Sequence, residues 1–345
     1  MPNRILSVNF QKLSILVNIS KETDFLQWQA KLRVGDIKTL SQSITLIEST
    51  REVDQSNINK MCSWLMKQVG RAHRIAVTGA PGVGKSTFIE SLGMCWVDRG
   101  HKVAILAIDP TSQITHGSVL GDKTRMTKLI ANENVFIRPS PSSNQLGGVS
   151  NRTLEVAWLC EVAGFDRIII ETVGVGQSEI TVKEMVDCFL VLTQPQTGDF
   201  LQGIKKGLME QADCILVNKS DVSSEIEIKN TVDLWKQSIM MTRGGKEVPV
   251  ESISALKGAQ IKKAAELIDT LLKTLVNQNQ LEEIRQNQLE KWISKRVKQD
   301  ILNRLEVFLN DDSTYLSSRK DVVVGIKSMD ELVDEIIDGF TQKLK

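Results

Sequence analysis

The stretch Gly79–Ser86, GAPGVGKS, constrains the fold of this chain more than any other segment. It follows the apolar run RIAVT and precedes FIESLGMCWV, which has the composition of a buried helix. It matches the pattern G-x-x-x-x-G-K-[ST] in full, in the strand–turn–helix context that the pattern requires. A glycine-rich turn lets several backbone N–H groups point into one concavity, and the next helix adds its N-terminus. The pattern therefore predicts a phosphate-binding loop of the P-loop NTPase type.

Two side chains of this loop have chemical roles of their own. Lys85 is expected to supply a point charge to the β- and γ-phosphates of a nucleoside triphosphate, and Ser86 to place a hydroxyl on Mg²⁺. The residues expected to contact the nucleotide here are Gly79, Gly82, Val83, Gly84, Lys85, Ser86 and Thr87. The loop alone does not show which base the nucleotide carries.

Short apolar runs alternate with helical stretches from residue 73 to 255. The runs are RIAVTG, HKVAILAID, NVFIRPS, FDRIIIET, CFLVLTQP, DCILVNKSD and VESISA. They are apolar throughout instead of alternating with polar residues, which is typical of strands covered on both faces. Strand–helix alternation of this kind predicts an α/β fold with a doubly wound, mostly parallel sheet.

Helical patterns flank this core on both sides, as in TLSQSITLIEST before it and the long charged stretch after residue 258. We predict an N-terminal helical segment at 1–70, a P-loop domain at 71–275 and a C-terminal helical arm at 276–345. The spacing of apolar residues in the arm fits a helix packed on its own domain and equally a helix that pairs with a second subunit.

Composition excludes several classes of protein. The 345 residues carry a net charge of +1 and a single Tyr, which predicts no nucleic-acid surface, and no apolar run is long enough to span a membrane. The five cysteines form no CxxC pair, so we expect buried free thiols in a reducing, cytoplasmic setting. The N-terminus is basic before Glu22 and lacks a signal-peptide core, and an organelle presequence is the alternative.

The base is expected to be recognised at 218–221, NKSD, and at 254–256, SAL, each directly after a strand. The Asp221 carboxylate can accept hydrogen bonds from N1–H and the exocyclic amine of guanine, whereas adenine offers no such pair of donors. Asn218 would brace the loop, Lys219 would cover the ring, and the N–H of Ala255 would meet guanine O6. The predicted ligand is GTP or GDP, bound by Asn218, Lys219, Asp221, Ser254, Ala255 and Leu256.

Two further strands end in acids, AILAID at Asp109 and RIIIE at Glu171. Ligands of open parallel sheets bind at the carboxyl ends of the strands, so both acids are candidates for holding Mg²⁺ with Ser86. A helix-capping or salt-bridged acid is the alternative for either one.

The residues after Glu171 resemble a nucleotide-sensing switch, TVGVGQ. Gly174 could donate its N–H to the γ-phosphate. Val175 stands where a Ras-type switch has its water-orienting Gln, and Gln177 is displaced by two positions. We therefore predict slow intrinsic hydrolysis that is completed by a residue from elsewhere or from a partner.

Five longer segments are more specific than a phosphate loop alone: DPTS…GSVLGDKTRM (109–126), FIRPSPSS…LGGVS (136–150), ETVGVGQSE (171–179), GDFLQGIKKG (198–207) and RQNQLEKW (285–292). These segments resemble the MeaB/ArgK family of SIMIBI-class GTPases, the G-protein chaperones of adenosylcobalamin-dependent methylmalonyl-CoA mutase. The similarity runs from about residue 30 to the end of the chain.

This resemblance implies a homodimer joined through C-terminal helices and a GTP-driven gate on cobalamin delivery to the mutase and on replacement of damaged cofactor. Methylmalonyl-CoA mutase is the first candidate partner, isobutyryl-CoA or related mutases are alternative clients, and the adenosyltransferase is a second partner. The residues at the family's nucleotide and magnesium positions are Lys85, Ser86, Asp109, Asp122, Glu171 and Asp221. Asp122 thereby joins the expected metal ligands, and Lys85, Asp122 and Glu171 form the expected catalytic set.

The segment GDFLQGIKKG matches the family's mobile third switch, where Lys205 or Lys206 would sense the nucleotide. The chain departs from the family at His116, usually Gly, and at Phe200, usually an acid. Both departures concern the coupling to a partner and leave nucleotide binding as expected.

Two other functions are alternatives. An ATP-using kinase linked to basic amino-acid transport is a label attached to relatives, but NKSD favours guanine. A metal-insertion GTPase of the same superclass usually carries Cys or His clusters, whereas the three histidines and five cysteines here are scattered.

Overall fold

The computed structural model describes residues 19, 21–70, 72–109, 126–141, 152–172, 178–195, 206–244, 247–311 and 313–343. The chain divides into two compact units, Met1–Arg285 and Gln286–Lys345. Within the described ranges, every helix is too short or too polar to span a lipid bilayer.

The first unit is built on one parallel sheet. Its strands are β1 His73–Gly79, β2 Val103–Asp109, β3 Val135–Pro141, β4 Arg167–Glu171, β5 Cys188–Thr193, β6 Cys214–Val217 and β7 Val250–Ser252. They lie in the order β3-β2-β4-β1-β5-β6-β7, and each neighbouring pair is parallel. All seven strands were predicted from the sequence, and the doubly wound α/β fold is confirmed.

Helices connect and cover these strands. They are α1 Glu22–Arg33, α2 Ile37–Ile47, α3 Gln55–Leu65, α4 Lys85–Val97, α5 Thr127–Ile130, α6 Thr153–Val162, α7 Ser178–Lys183, α8 Lys206–Gln211, α9 Glu225–Thr242, α10 Ile261–Asn277, α11 Gln280–Asp311, α12 Ser313–Val323 and α13 Met329–Lys343. Helices α4 and α10 share an apolar cluster with one face of the sheet, and α6 packs on β2 and β4. Strands covered on both faces explain why the apolar runs do not alternate.

The N-terminal helices α1–α3 form a small layer against α6. Phe25 and Trp28 stack with ring centroids 5.4 Å apart, and Trp64 meets Trp28 edge-on at 5.2 Å. The indole N–H of Trp28 donates to Ser43 Oγ at 2.8 Å, so the buried ring has its polar group satisfied. The helices predicted before residue 70 are thus present as α1–α3.

Within the described residues after 258, the C-terminal helical stretch is interrupted between α10 and α11 and again between α12 and α13. Helix α10 ends at Asn277 and α11 begins at Gln280, with Asn279 in the left-handed region at φ 55°. Asn tolerates this conformation better than most residues with a side chain, so the polar run NQNQ becomes a helix end. The sequence pattern predicts continuous helix here, and the structure differs at this point.

A buried acid fastens the first turns of α11 to the amino-terminal edge of the sheet. Asp187 precedes β5 and accepts from Arg285 Nε at 2.9 Å, Arg285 Nη2 at 2.7 Å and the backbone N–H of Arg74 at 2.8 Å. Burial raises the pKa of this carboxyl group, but the hydrogen bonds from Arg285 and the charge of Arg74 outweigh it, so the pKa of Asp187 is lowered. Asp187 therefore remains ionised inside the protein.

Candidate nucleotide-binding site

The predicted phosphate loop lies at the carboxyl edge of the sheet, between the ends of two neighbouring strands. It leaves β1 at Gly79 and enters α4 at Lys85. Strand β1 pairs with β4 on one side and β5 on the other. Glu171, at the end of β4, therefore flanks the loop on one side, and the chain leaving β5 flanks it on the other.

Two glycines of the loop are required by close approach. A Cβ on Gly79 would lie 2.3 Å from the carbonyl oxygen of Leu192, and a Cβ on Gly84 would lie 2.6 Å from Asn218 Nδ2. Both residues also have positive φ, 149° and 96°. The loop thus packs against β5 at Gly79 and against the NKSD segment at Gly84, with no space for a side chain at either position. Without side chains there, its backbone N–H groups are left open to a ligand on the opposite side of the loop.

Lys85 and Ser86 begin α4 with their polar groups at the loop. Lys85 Nζ donates to the carbonyl oxygens of Gly79 at 2.8 Å and Ala80 at 3.2 Å. Ser86 Oγ donates to Glu171 Oε1 at 2.8 Å. Thr87 follows in the first turn of the helix and is half-buried. A cationic donor and an oxygen pair are therefore placed at one helix N-terminus, which suits a phosphate and a hard cation.

Asn218 joins the phosphate loop to the predicted base-binding loop. Its side chain donates from Nδ2 to the carbonyl oxygen of Val83 and accepts at Oδ1 from the N–H of Ala255, both at 2.9 Å. Its own N–H donates to the carbonyl oxygen of Thr193 at 2.8 Å. Asn218 is only 2% exposed, so these bonds are shielded from water. Lys219 follows in the left-handed region at φ 63°.

The carboxylate of Asp221 is oriented by a serine. Ser254 Oγ donates to Asp221 Oδ1 at 2.5 Å and accepts from the N–H of Lys257 at 3.2 Å. The hydrogen bond from Ser254 lowers the pKa of Asp221, so this group is a carboxylate at neutral pH. Leu256, in the same turn, is 75% exposed. An ionised acceptor and an apolar side chain thus border the place predicted for the base.

The predicted magnesium ligands are only partly described. Ser86 and Glu171 are in contact. Asp109 is the last residue of β2, which pairs with β4, and Ala107, two residues earlier in β2, lies opposite Glu171. The expected residues outside the described ranges are Asp122, Gly174, Val175, Gln177, His116, Phe200 and Lys205. Lys206 is the first residue of α8, and the structure describes its backbone only. The oxygen donors that are described fit the preference of Mg²⁺ for hydroxyl and carboxylate ligands.

Sequence patterns did not point to three polar residues around the site. Ser91 Oγ, in α4, donates to the carbonyl oxygen of Ala255 at 2.9 Å. Thr172, directly after Glu171, donates its hydroxyl to Thr78 Oγ1 at 2.8 Å, and both threonines are buried. These contacts join segments far apart in the chain, so no local motif signals them.

A sequence model of one family, "Methylmalonyl Co-A mutase-associated GTPase MeaB", matches residues 40–309. The chain belongs to this family. The enzyme class predicted from the sequence, a GTPase, is thereby confirmed, and membership in the family implies that the chain binds guanine nucleotide. The matched range includes the phosphate loop, both base-binding motifs and most of α11.

Named relatives extend the same likeness over most of the chain. It is 42% identical to GTPase ArgK of Escherichia coli strain K12 over 285 residues, 82% of this chain and 86% of the relative. It is 43% identical to a probable GTPase of Mycobacterium tuberculosis over 277 residues, 79% of this chain and 82% of the relative. A mouse protein named "Methylmalonic aciduria type A homolog, mitochondrial" is 35% identical over 322 residues, 90% of this chain and 78% of the relative.

One solved structure covers nearly the whole chain. It is titled "Crystal structure of LAO/AO transport system kinase", with a TM-score of 0.71 and 32% identity over 94% of this chain and all of the other. The parallel-sheet architecture of the MeaB family is therefore shared by a chain of similar length.

Gly84 and Gly82 offer a matched pair for testing the fit between the phosphate loop and Asn218. Both have positive φ, 96° and 77°, but a Cβ on Gly82 meets no atom within 4 Å, whereas one on Gly84 meets the Asn218 amide. Gly82→Ala should cost about 1 kcal/mol of backbone strain. Gly84→Ala should cost about 2 kcal/mol more, because the displaced amide leaves Val83 and Ala255 without their partner.

The measurement is the free energy of unfolding of each variant in urea without nucleotide, with tryptophan fluorescence as the readout. Equal losses of stability in the two alanine variants would show that Asn218 does not depend on the space beside Gly84.

Proposed function

We propose that this MeaB-family GTPase binds GTP between its phosphate loop and the motifs at 218–221 and 254–256, and uses the nucleotide to control an adenosylcobalamin-dependent acyl-CoA mutase. The observation that supports guanine is the hydrogen-bonded pair Ser254–Asp221, an oriented carboxylate next to Asn218. The support for the partner is the family's description as mutase-associated. Methylmalonyl-CoA mutase is the first candidate client.

Each described residue of the site has a task in this proposal. Lys85 exchanges these two carbonyl partners for phosphate oxygens, because a bond between an ammonium and a phosphate joins two opposite charges and is stronger than one between an ammonium and a neutral carbonyl. Asp221 accepts from N1–H and the exocyclic amine of guanine, and Lys219 and Leu256 cover the ring. The N–H of Ala255 donates to Asn218 Oδ1, so in this proposal guanine O6 shares that donor with Asn218.

Ser86 and Glu171 would hold Mg²⁺, with Asp109 and Asp122 as further oxygen donors. Bound there, the cation would neutralise charge that develops on the phosphates. The chain's own contribution is to bring a hydroxyl and a carboxylate together, as the Ser86–Glu171 hydrogen bond of 2.8 Å does. Intrinsic hydrolysis is slow in this proposal, because Val175 stands where a water-orienting Gln would be needed.

The second unit supports the proposal that two copies of this chain form a homodimer. Among its described apolar side chains, Phe308 and Leu332 are buried, while α11 exposes Ile293, Val297 and Ile301 at intervals of four residues. Residues four apart share one helix face, and an exposed apolar face marks an interaction surface. A second copy is the proposed occupant, as the resemblance to the family implies.

The chaperone role has two parts in this proposal. The GTP-bound chain gates the loading of adenosylcobalamin onto the mutase, and it takes part in replacing damaged cofactor. A ligand can shift a partner's behaviour only if the two nucleotide states bind that partner with different affinity. The segments at 171–179 and 198–207 are the proposed source of that difference.

A kinase linked to amino-acid transport is the second candidate, because the solved structure of similar length carries that title. The two candidates differ in the nucleotide they use: the kinase would use ATP, whereas Asp221 in our proposal accepts from guanine. The location of the protein stays a prediction: cytoplasm from its five free cysteines, with an organelle as the alternative because the mouse relative is named mitochondrial.

Asp221→Asn tests the choice of base. Ser254 would donate to the amide oxygen of the new asparagine, so the amide NH₂ would face the N1–H and the exocyclic amine of guanine. Donors would then face donors, and both hydrogen bonds to the base would be lost. Affinity for GTP should fall about 100-fold, and xanthosine triphosphate, which carries an acceptor in place of the exocyclic amine, should bind more tightly than GTP. Asp233→Asn on α9 is the control for the lost charge.

Calorimetry with GTP, ATP and xanthosine triphosphate gives the affinities. A wild-type protein that prefers ATP, or an Asp221→Asn variant that keeps wild-type GTP affinity, would contradict the assignment of the base site and favour the kinase.

The client is tested by GTP turnover with and without purified methylmalonyl-CoA mutase. The mutase should raise turnover at least about ten-fold, because a partner supplies what the switch lacks. Co-elution should depend on whether GDP or a non-hydrolysable GTP analogue is bound. An isobutyryl-CoA mutase run in parallel separates clients. No stimulation and no co-elution with any cobalamin mutase would defeat the chaperone proposal and leave GTP binding untouched.

The dimer is tested by analytical ultracentrifugation of the full chain. Wild type should sediment at twice the chain mass of 38.5 kDa, and the double variant Val297→Asp with Ile301→Asp at the mass of one chain. Ile226→Asp is the control, because Ile226 is 73% exposed on α9 of the first unit. A monomeric wild type, or an unchanged double variant, would exclude this face of α11.

A further inference from the structure

A serine in the middle of α4 holds the turn that carries the SAL motif. Ser91 donates its hydroxyl to the carbonyl oxygen of Ala255 at 2.9 Å. Serines and threonines inside a helix commonly donate to the carbonyl four residues earlier, as Thr45 does in α2 and Ser238 in α9. Ser91 instead donates across 164 positions of sequence, so its hydrogen bond joins the helix of the phosphate loop to the proposed base site.

Ala255 is restrained from three directions. Its backbone N–H donates to Asn218 Oδ1 at 2.9 Å, and its carbonyl oxygen accepts from Ser91. The residue is only 3% exposed and belongs to the apolar cluster that α4 and α10 share with the sheet. The N–H and the carbonyl group lie on opposite sides of one Cα, so the two hydrogen bonds together restrict φ and ψ of Ala255. The direction of the Ala255 N–H therefore depends on Ser91 as well as on Asn218.

We propose that Ser91 is a positioning residue for guanine: through the Ala255 carbonyl it keeps the Ala255 N–H directed at the base, and so contributes to the preference for an oxygen at C6 of the purine. This rests on the proposed function, in which guanine O6 accepts from that N–H. Ser91 itself touches no nucleotide atom in this proposal. Asp221, which is held by Ser254, recognises the exocyclic amine separately.

The direction of this N–H matters because guanine O6 shares it with Asn218. A donor serves two acceptors only when its hydrogen points between them, and a hydrogen bond weakens steeply as its angle closes. With Asn218 as the single polar restraint, the peptide would turn until its N–H pointed wholly at Oδ1. The hydrogen bond from Ser91 opposes that rotation from the carbonyl side of the same residue.

The test uses two analogues of GDP that each change one group of the base. In 6-thioguanosine diphosphate a sulfur, which is a weak acceptor, replaces O6, so this analogue reports on Ala255. Inosine diphosphate lacks the exocyclic amine, so it reports on Asp221. Calorimetry with the full-length protein gives the affinity for GDP and for each analogue. A ratio of two affinities cancels any effect that is common to all nucleotides.

Ser91→Ala removes the donor to the Ala255 carbonyl. Wild type should bind GDP about five-fold more tightly than 6-thioguanosine diphosphate, as expected for one hydrogen bond, and in Ser91→Ala this ratio should fall below about two. The ratio of the affinities for GDP and inosine diphosphate should keep its wild-type value, because Ser254 still holds Asp221. Ser91→Thr keeps a hydroxyl and should retain the wild-type preference for O6.

Ser238→Ala is the matched control. Ser238 is half-buried, as Ser91 is, and lies within α9, but its hydroxyl donates to the carbonyl oxygen of Leu234 in its own helix. Its removal should change neither ratio. Hydrogen exchange of a peptide covering residues 253–258, measured without nucleotide, should be faster in Ser91→Ala than in Ser238→Ala, because the turn has lost one of its restraints.

An unchanged preference for O6 in Ser91→Ala would overturn the proposal. A fall of both ratios together would also overturn it, because Ser91 would then stabilise the turn without directing one donor. Either result leaves the wild-type preference for guanine intact and so spares the proposed function. A wild type that binds ADP as tightly as GDP would instead overturn the proposed base site, and the role of Ser91 with it.

Discussion

The side-chain amide of Asn218 fixes the separation between the phosphate loop and the loop proposed to bind the base. The two polar atoms of the side chain form hydrogen bonds with the backbone of Val83 and Ala255. The backbone N–H of Asn218 donates to the carbonyl oxygen of Thr193, at the end of β5. The distance from the base to the phosphates of a guanine nucleotide is limited. Two loops that moved independently would therefore not keep the spacing at which one nucleotide can contact both. Because Asn218 is buried, breaking either bond leaves an unsatisfied group at a cost of about 1–3 kcal/mol. The two motifs therefore act as one rigid site.

The two edges of the sheet use different chemistry. At the amino edge, full charges pair with each other, as Asp187 does with Arg285. At the carboxyl edge, Lys85 donates to two neutral carbonyl groups and Asp221 accepts from a hydroxyl. A phosphate carries a full negative charge, so it is a stronger partner for the Lys85 ammonium than a neutral carbonyl oxygen. The two carbonyl partners of Lys85 are therefore ones that a phosphate can replace, whereas Asp187 and Arg285 are each other's charged partner.

The sequence was sufficient for the sheet and for the local motifs, and insufficient for contacts across them. Each strand is a short apolar run, and the phosphate loop is contiguous, so both are visible in local pattern. The bond from Ser91 to Ala255 spans 164 positions, and that from Arg285 to Asp187 spans 98. Such pairs arise only after helices have packed. The helix break at Asn279 was missed for another reason, since the polar run around it fits a helix surface as well as a turn.

The contacts of Thr172 define where a nucleotide-dependent change can begin. Its N–H donates to the carbonyl oxygen of Val77 at 3.1 Å and its hydroxyl to Thr78, so Thr172 is fixed to β1 by both backbone and side chain. Glu171 is fixed by the sheet and by Ser86. In the proposed function, a rearrangement of the switch therefore begins beyond Thr172. In the same proposal, the Glu171 carboxylate can then stay in place while the switch responds to the γ-phosphate, so that hydrolysis and control of a partner would share one strand end without disturbing each other.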